Sequence, residues 1–397
     1  MSHMPIYEPQ EDSYLLQTWV KEYAIGRVLD IGTGSGIQAL TAAENKNVRE
    51  VLAVDINEEA IHQLAQKTKL LKKITPLYSN LFEKIDGQFD VILFNPPYLP
   101  QDKGIEDPAL YGGKKGWEIS EQFFKDVSKF LVAKGKILFL FSSYTNKEKI
   151  EEIISKHLFQ FKELERKKMA LFEELYVYLI EKSDLLRELE RKGIEQVEYL
   201  AKGKRGVVYS GIWKTHSNIK SHLASVKNLK VAIKIENSGS TATNRLENET
   251  KWLAKLNLQN IGPKLYFSGT NYLVMELVEG PRFGSWAKAA SKEEVQTAIL
   301  DVLNQAHILD KIGVNKEEMH HPYKHLLMRG NRPVLIDFER CKETENPGNV
   351  TQFLEFLARS QVLLKEKGIS WKEGQLRELG KKYKLNYDFN CIKALFS

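Results

Sequence analysis

The stretch Val91–Tyr98, with the sequence VILFNPPY, decides the fold. Its first four residues are apolar and β-prone, so they predict a strand that is buried in a parallel sheet. Two prolines cannot continue a central strand. The chain must therefore turn at the carboxyl end of this strand, which is where open α/β sheets bind their ligands.

The turn brings an asparagine, a stiff Pro-Pro carbonyl and an aromatic ring to one point, which suits a planar nitrogen nucleophile. The side-chain oxygen of Asn95 and the carbonyl of Pro96 can accept both N–H bonds of an amide or an aryl amine, while Tyr98 packs on its plane. A purely structural turn at the strand end is the alternative interpretation. The residues upstream favour the functional one.

Two further acidic strand ends precede this turn. The segment Val28–Gly36, VLDIGTGSG, reads as a strand, a glycine loop and the start of a helix. Its third glycine comes one position too early for a dinucleotide fingerprint, and Asp30 before the loop suits a cationic ligand. Asp55 ends the next strand, about 20 residues past the loop, where an acid would bind ribose hydroxyls.

Strands alternate with helices over this half of the chain. A helix that Asp12 or Ser13 could cap is expected to run to about Tyr23, and later strands are expected at residues 137–140 and 175–180. This alternation predicts a doubly wound α/β unit with a mostly parallel sheet. The polar residues then converge on one cleft.

Together, YEPQEDSYLL at 7–16, VLDIGTGSG, SNLF at 79–82 and NPPY resemble a class I S-adenosylmethionine-dependent methyltransferase with a Rossmann-like seven-stranded sheet. Within that superfamily the match, over about residues 5–182, resembles the short HemK-type family. Its archaeal and eukaryotic members methylate a release-factor glutamine, and the eukaryotic ones work with a small zinc-binding partner.

This resemblance implies cofactor contacts that run from the methionine part through the ribose to the adenine. Asn95 would hold the substrate amide, with Pro96 and Tyr98 beside it, and the loop 112–116 resembles the family's substrate-side loop. Asn80 replaces an aspartate that is usual at its position. The implied cofactor residues are Ser13, Asp30, Gly32, Gly34, Gly36, Asp55, Asn80 and Leu81.

The second half, about residues 190–397, has its motifs in the order of a protein kinase: a glycine hairpin, a strand lysine, a helix glutamate, a hinge and an Asp-Phe pair. It resembles the small RIO-like kinases of archaea, which implies a bilobal α+β domain that binds ATP and magnesium. We place the methyltransferase domain at 1–182, and a linker helix and the kinase-like domain at 183–397. The implied nucleotide-binding residues are Gly203, Gly206, Lys234, Glu249, Glu276 and Asp337, the last of which would hold magnesium.

The expected catalytic loop of this half lacks the kinase pattern. Counting back from Asp337 puts His325 at the position of the metal-binding asparagine and His320 at that of the catalytic aspartate. If the loop contains an insertion, Glu317 becomes the candidate acid. The sequence therefore favours nucleotide binding over protein phosphorylation.

Composition bounds the function further. The chain has 397 residues, a net charge of +6 and two cysteines without metal spacing, which fits a reducing cytoplasm and permits RNA or the ribosome as partners. No apolar run approaches membrane-spanning length. Two alternatives remain: an N-methyltransferase for RNA or DNA base amines, and a regulatory scaffold with an inactive kinase-like domain.

Overall fold

The computed structural model describes residues 6–101, 111–203, 206–214, 228–236 and 245–396. The chain forms two compact units, Met1–Tyr199 and Leu200–Ser397. The sequence predicted a boundary near Lys182, so the two divisions differ in where they assign the helix that follows this residue. Each unit is described by itself.

The first unit is built on a seven-stranded sheet with the order β3-β2-β1-β4-β5-β7-β6. The five strands from β3 to β5 pair in parallel, whereas β7 is antiparallel to both of its neighbours. The mostly parallel sheet that the sequence predicted is therefore confirmed. The strands are β1 (Gly26–Ile31), β2 (Val48–Asp55), β3 (Ile74–Tyr78), β4 (Phe89–Phe94), β5 (Leu131–Ser142), β6 (Phe159–Lys168) and β7 (Glu174–Lys182).

Helices cover both faces of this sheet, because neighbouring residues of one strand belong to two separate apolar cores. Val91 of β4 packs in the core that includes α1, α2 and α3, whereas Ile92 packs in the core that includes α4 and α5. This division is the doubly wound arrangement. The helices are α1 (Glu11–Tyr23), α2 (Ile37–Glu44), α3 (Glu58–Lys67), α4 (Glu118–Asp126), α5 (Lys147–Lys156) and α6 (Asp184–Arg191).

Helix α1 ends at Tyr23 as predicted, but the prediction of its cap was wrong. The helix begins at Glu11, and its N-cap is Gln10, whose side chain makes no capping hydrogen bond. Asp12 and Ser13 lie inside the first turn and are buried. The carboxylate of Asp12 bonds the side chain of Asn95 instead, so a long-range partner replaces the local capping role.

Helix α6 packs against the first unit. Ser183 caps it by accepting a hydrogen bond from the Leu186 N–H at 3.2 Å. Leu186 is buried in the same core as α4 and α5, and the Lys182 ammonium lies 2.7 Å from the Glu190 carboxylate. The segment that the sequence assigned to the second domain as a linker helix is thus held by β7 and the core of the first unit.

The second unit begins with a five-stranded sheet of order β11-β12-β10-β9-β8, in which β10 is antiparallel to β9 and β12. The rest is mainly helical, which gives this unit an α+β composition, whereas its likeness to a kinase stays a prediction. Strand β8 (Ile194–Lys202) crosses the division between the two units at residues 199 and 200. The strands that follow it are β9 (Gly206–Lys214), β10 (Asn228–Glu236), β11 (Leu265–Ser268), β12 (Tyr272–Glu276), β13 (Val314–Asn315), β14 (Leu326–Arg329), β15 (Arg332–Leu335) and β16 (Lys342–Glu343). Its helices are α7 (Arg245–Asn257), α8 (Phe283–Ala289), α9 (Lys292–Lys311), α10 (Asn349–Arg359), α11 (Gln361–Glu366), α12 (Gln375–Asn386) and α13 (Asn390–Phe396).

Over the described ranges, none of the helices combines the length and the apolar composition that crossing a membrane requires. Both cysteines, Cys341 and Cys391, are free thiols.

We expect Leu186→Ala to destabilise the first unit by about 2–5 kcal/mol, because it leaves a cavity under α6. Hydrogen exchange of the β5 and β7 amides would measure this loss of protection. Asp184→Ala on the same helix is the matched control, since the Asp184 side chain is 97% exposed and its loss should cost about 0.5 kcal/mol or less. Unchanged protection in Leu186→Ala would contradict the packing of α6 on this unit.

Candidate functional site

A cleft of about 400 Å³ opens at the carboxyl ends of β1, β2 and β4. In the sheet, β1 lies between β2 and β4, so the strand order reverses beside β1. Such a reversal forms a crevice in which doubly wound folds bind ligands. Ten of the residues that the sequence assigned to the methyltransferase site line this cleft: Ser13, Asp30, Gly32, Gly34, Asp55, Asn80, Leu81, Asn95, Pro96 and Tyr98.

The glycine loop after β1 combines two structural roles. Gly32 and Gly34 have left-handed φ angles of 66° and 52°, and a Cβ on Gly32 would have nothing within 4 Å. Their backbone is therefore open to a ligand. Gly36, predicted as a cofactor contact, does not line the cleft. A Cβ there would lie 2.4 Å from Cδ1 of Leu64, so this glycine permits close packing of the α2 start against α3.

Two carboxylates hold the loop. Asp55 accepts hydrogen bonds of 2.8 Å from the N–H groups of Gly34 and Asn57, and burial raises its pKa. Asp30 accepts from the Thr33 hydroxyl at 2.6 Å and from the Ala39 N–H at 3.1 Å. Burial raises the pKa of Asp30 to about 7. A cationic ligand would favour the ionised form of both acids.

Two buried side-chain oxygens in the cleft have no hydrogen-bond partner among the described residues. The Gln38 amide donates to the Ser13 carbonyl at 2.8 Å, which leaves its Oε1 unpaired. The Asn95 amide donates to Asp12 at 2.9 Å, which leaves its Oδ1 unpaired. Buried acceptors without a partner are costly, and both residues line the cleft. Such oxygens fit a ligand that supplies N–H donors.

The remaining predicted residues are placed around the same cleft. The Ser13 hydroxyl lies 3.3 Å from the Asp12 carboxylate, and the Asn80 amide donates to Glu83 at 3.0 Å. Leu81 has a left-handed φ of 45°. Burial is the largest cause that raises the pKa of the Tyr98 hydroxyl, which therefore stays neutral.

The charged residues that line the described part of the cleft are all acidic. Four acids line it, namely Asp12, Asp30, Asp55 and Glu173, and no Lys, Arg or His is among its described lining residues. Sequence reasoning missed Asp12 and Glu173 as lining residues, and it missed Gln38. The acidic pair in Glu11-Asp12 was visible, but only the fold shows which of the two side chains faces inward.

This fold and this cleft define the class of S-adenosylmethionine-dependent methyltransferases. S-adenosylmethionine carries a sulfonium cation and an ammonium donor, and Asp30, Asp55 and the unpaired oxygen of Gln38 fit these groups. The model of the methyltransferase small domain family matches residues 10–172, which lie inside the first unit.

Curated relatives specify the family. A "Putative protein N5-glutamine methyltransferase" of Methanocaldococcus jannaschii is 39% identical over 158 residues, which cover 38% of this chain and 80% of that protein. A release factor glutamine methyltransferase of Streptococcus pneumoniae is 33% identical over 147 residues, 33% of this chain and 50% of the relative. The chain thus spans only half the length of that bacterial relative. The human methyltransferase HEMK2 is 28% identical over 38% of this chain and 77% of its own length.

Among solved structures, one similar protein is the Mtq2–Trm112 complex of E. cuniculi, which is described as responsible for methylation of the eRF1 translation termination factor. The match covers 45% of this chain and 99% of the matched chain, with 26% sequence identity and a TM-score of 0.37.

The archaeal relative from Methanocaldococcus jannaschii is matched over most of its length. The chain belongs to the HemK-type family of S-adenosylmethionine-dependent N-methyltransferases.

The second unit contains a separate charged cluster around Lys234 of β10. Its ammonium lies 2.6 Å from Glu249 of α7, 3.3 Å from Asp337 and 3.4 Å from Glu339. Burial disfavours the ammonium cation, but the attraction of these carboxylates exceeds that effect and raises the pKa of Lys234. Sequence reasoning predicted the first three residues and missed Glu339, which follows the Asp-Phe pair directly.

The loop before Asp337 matches neither of the two arrangements that the sequence predicted, with His320 and His325 or with Glu317 at the catalytic positions. His325 lies in the cluster, with Nδ1 3.3 Å from Asp337 and Nε2 2.7 Å from Glu318. The Lys316 ammonium donates to the Asp337 carbonyl at 2.7 Å. His320 is exposed and contacts Gln352. Glu318, which sequence reasoning did not name, is therefore the acid that bonds His325.

The candidate acid Glu317 and the remaining predicted nucleotide contacts have other neighbours. Glu317 pairs with Lys342 at 3.2 Å, and Glu276 pairs with Arg329 at 2.5 Å. Gly203 donates its N–H to the carbonyl of Gly206 at 2.8 Å, which closes the β8–β9 hairpin. None of these contacts involves a residue of the Lys234 cluster.

The raised pKa of Asp30 predicts a pH dependence of stability. As pH rises from about 4, the unfolded state loses this proton first, whereas the folded state keeps it until about pH 7. The free energy of unfolding of the ligand-free protein should therefore fall by a few kcal/mol over this interval. Thermal melts of wild type and Asp30→Asn between pH 4.5 and 8 would measure this slope.

Asp30→Asn should lose the fall and be the more stable protein at pH 8. The exposed Asp86 serves as a matched control, because Asp86→Asn should leave the slope unchanged. Equal slopes in wild type and Asp30→Asn would contradict the assignment.

Proposed function

We propose that the first unit transfers the methyl group of S-adenosylmethionine to a glutamine side-chain amide of a translation release factor. The observation that carries this proposal is the buried, unpaired Oδ1 of Asn95 in the cleft. An amide NH₂ group supplies the donor that this oxygen lacks. Relatives described as protein N5-glutamine and release factor glutamine methyltransferases support the same acceptor.

The residues of the cleft would act by orientation rather than by strong acid–base chemistry. S-adenosylmethionine supplies an activated methyl group on its sulfonium. Asn95 Oδ1 and the Pro96 carbonyl would accept the two amide N–H bonds, and Tyr98 would pack on the amide plane, so that the nitrogen lone pair faces the methyl group. As the new N–C bond forms, the S–C bond to the methyl group would break and leave S-adenosylhomocysteine, and the methylated nitrogen would then lose one of its two protons to solvent.

Asp55, Asp30 and the glycine loop would hold the cofactor. A carboxylate has about four lone-pair sites, so Asp55 can accept from ribose hydroxyls in addition to its bonds from backbone N–H groups. Asn80 and Leu81 would flank the adenine. Ser13 and Gln38 lie near α1 and α2, where the unpaired Gln38 oxygen suits the ammonium of the methionine part.

A base amine of RNA or DNA is the second candidate acceptor, because it presents the same N–H donors to Asn95. The four acids of the cleft weigh against it, since a nucleic-acid acceptor brings phosphates that need cations nearby. Labelling an extract with a radioactive methyl donor, followed by RNase or protease digestion, separates the two. Loss of the label to RNase alone would refute the protein acceptor.

A small zinc-binding activator is a further proposal, which follows from the resemblance to the eukaryotic family members. The purified chain tests it directly. Full methylation of a release factor by the chain alone would exclude the requirement, whereas activity that appears only with an added partner fraction would support it.

Asn95→Ala should lower kcat by about 100-fold or more and leave the affinity for S-adenosylmethionine within about threefold, because Asn95 is assigned to the acceptor. Single-turnover methylation of a release factor and calorimetric titration of the cofactor measure the two effects. Glu83→Ala, which removes the partner of Asn80 at the cleft rim, should keep kcat. A parallel loss of cofactor affinity in Asn95→Ala would make Asn95 a cofactor or structural residue.

We propose that the second unit is a kinase-like module that binds a nucleoside triphosphate with magnesium. Lys234 could transfer from its carboxylates to the phosphates, and the acids that it leaves offer oxygen ligands to the metal. In support, ligand oxygens of Glu249, Asp337 and Glu339 lie within 4.8 Å of one another. Asp337 is assigned to magnesium. A regulatory scaffold without nucleotide is the competing function.

Phosphoryl transfer to protein is expected to be weak, because the loop before Asp337 presents His325 and an arginine-paired Glu318. The Arg340 guanidinium lies 3.0 Å from the Glu318 carboxylate, so this acid is already engaged in an ion pair. The regulatory use of the module would then depend on binding rather than on turnover.

Lys234→Ala and Asp337→Ala should each weaken binding of magnesium–ATP by about 10-fold or more, since each removes a charge that the polyphosphate or its metal requires. Lys230→Ala is the control, because Lys230 lies on the same strand and is exposed. Fluorescent-nucleotide titration with and without magnesium measures the effect, and absence of binding to wild type would leave the scaffold. Any phosphate release should depend on Glu318 rather than Glu317, which Glu318→Gln and Glu317→Gln would distinguish.

A further inference from the structure

Asp12 is a buried acid in the cleft to which no role has been assigned so far. Only 4% of its surface is exposed. Its two carboxylate oxygens have different partners. Oδ1 accepts from the Ser13 N–H at 2.6 Å and from the Tyr7 hydroxyl at 3.2 Å, whereas Oδ2 accepts from the Asn95 side-chain NH₂ at 2.9 Å. The two sides of this carboxylate are therefore not interchangeable.

The bond to Asp12 fixes which end of the Asn95 amide faces the cleft. A carboxylate can only accept, so Asn95 must turn its NH₂ group toward Asp12. Its oxygen then points away from Asp12 and is the buried atom without a partner. If the amide were rotated by half a turn, two oxygens would face each other at about 3 Å, and an NH₂ group would face the acceptor.

We propose that Asp12 is the positioning residue of the methyl-transfer reaction, which sets the polarity of Asn95 so that an acceptor, not a donor, faces the incoming N–H group. Asp12 touches neither reacting atom in this role and acts through Asn95. The inference rests on the proposed transfer to an N–H-bearing acceptor. It holds equally for a glutamine amide and a base amine, so the identity of the acceptor can fail without it.

The variant Asp12→Asn separates positioning from a merely structural role. Because the Ser13 N–H and the Tyr7 hydroxyl both donate to one side, an asparagine at position 12 must place its oxygen there and its NH₂ group toward Asn95. Asn95 must then offer its oxygen to that group and its NH₂ to the acceptor. Every hydrogen bond of the folded protein is still made, yet the polarity toward the acceptor is reversed.

We therefore expect Asp12→Asn to keep its thermal midpoint and its affinity for S-adenosylmethionine within about threefold, while kcat for the methyl acceptor falls by about 100-fold or more. Asn95→Asp should be similarly impaired, because two carboxylates would then meet at the distance of the present hydrogen bond. In the double variant, the asparagine at 12 donates to the aspartate at 95, which again presents an oxygen to the acceptor. Its kcat should exceed that of either single variant by about 10-fold or more.

The experiment measures kcat, KM and cofactor affinity for wild type, both single variants and the double variant, with a purified release factor as the acceptor. Calorimetric titration of a glutamine-containing peptide into the enzyme loaded with S-adenosylhomocysteine gives a second readout without turnover. The peptide affinity should fall in both single variants and recover in the double variant. Glu11→Gln is the matched control, because Glu11 neighbours Asp12 but is 61% exposed. It should behave as wild type.

Two results would overturn the inference: full kcat in Asp12→Asn, or a double variant no better than the single ones. A lower thermal midpoint in Asp12→Asn that accounts for its loss of activity would likewise reduce Asp12 to a structural residue. If wild type methylates RNA and no protein, the proposed glutamine acceptor is wrong. The same four proteins, assayed on that RNA, would then still decide the role of Asp12.

Discussion

The parallel pairing of β1 with β4 is the constraint on which the first unit depends. In its register Ile31 lies opposite Phe94, so the glycine loop and the turn at Asn95 start from the same level of the sheet. The two strands are neighbours although β2 and β3 come between them in the chain. A slip of one residue would exchange the faces of Val91 and Ile92, which belong to different cores. The packing of both faces therefore fixes the position of the cleft.

The sequence alone predicted those parts of this site that lie at the ends of strands. VILF followed by two prolines predicted β4 and its stop, and the acids at positions 30 and 55 were located because they end strands of the same sheet. Asp12 shows the limit of this reasoning. The preference for acidic residues at helix starts predicted it as a helix cap. Its partner Asn95 is 83 positions away in the chain, so no local sequence pattern could predict that contact.

The second unit shows the same contrast within a single loop. Lys234 lies on a strand, Glu249 lies on a helix, and Asp337 is the second residue after β15, so the sequence could predict their order. Their ion pairs are observed. Glu317 and Glu318 are adjacent in a segment without periodicity. Glu318 has a left-handed φ of 68°, and its carboxylate bonds His325 while that of Glu317 pairs with Lys342. Sequence alone does not supply that turn.

The acidity of the cleft has a consequence for the proposed reaction, because a positive charge moves during methyl transfer. It begins on the sulfonium and develops on the acceptor nitrogen until a proton leaves. Acids near the cofactor stabilise the first state, whereas an acid near the acceptor stabilises the second more than the first, and only such a difference accelerates the step.

Asp12 lies behind Asn95 on the acceptor side, and Glu173, held by the Ser142 hydroxyl at 2.6 Å, lines the same cleft. A neutral amide that becomes transiently cationic gains from these charges, because Asp12 is buried and solvent screens a buried charge only weakly. An acceptor attached to a phosphodiester backbone would bring negative charge to the same acids and lose part of that gain. The electrostatics of the cleft therefore favour a neutral protein amide, whereas the unpaired oxygen of Asn95 requires only that the acceptor bring an N–H donor.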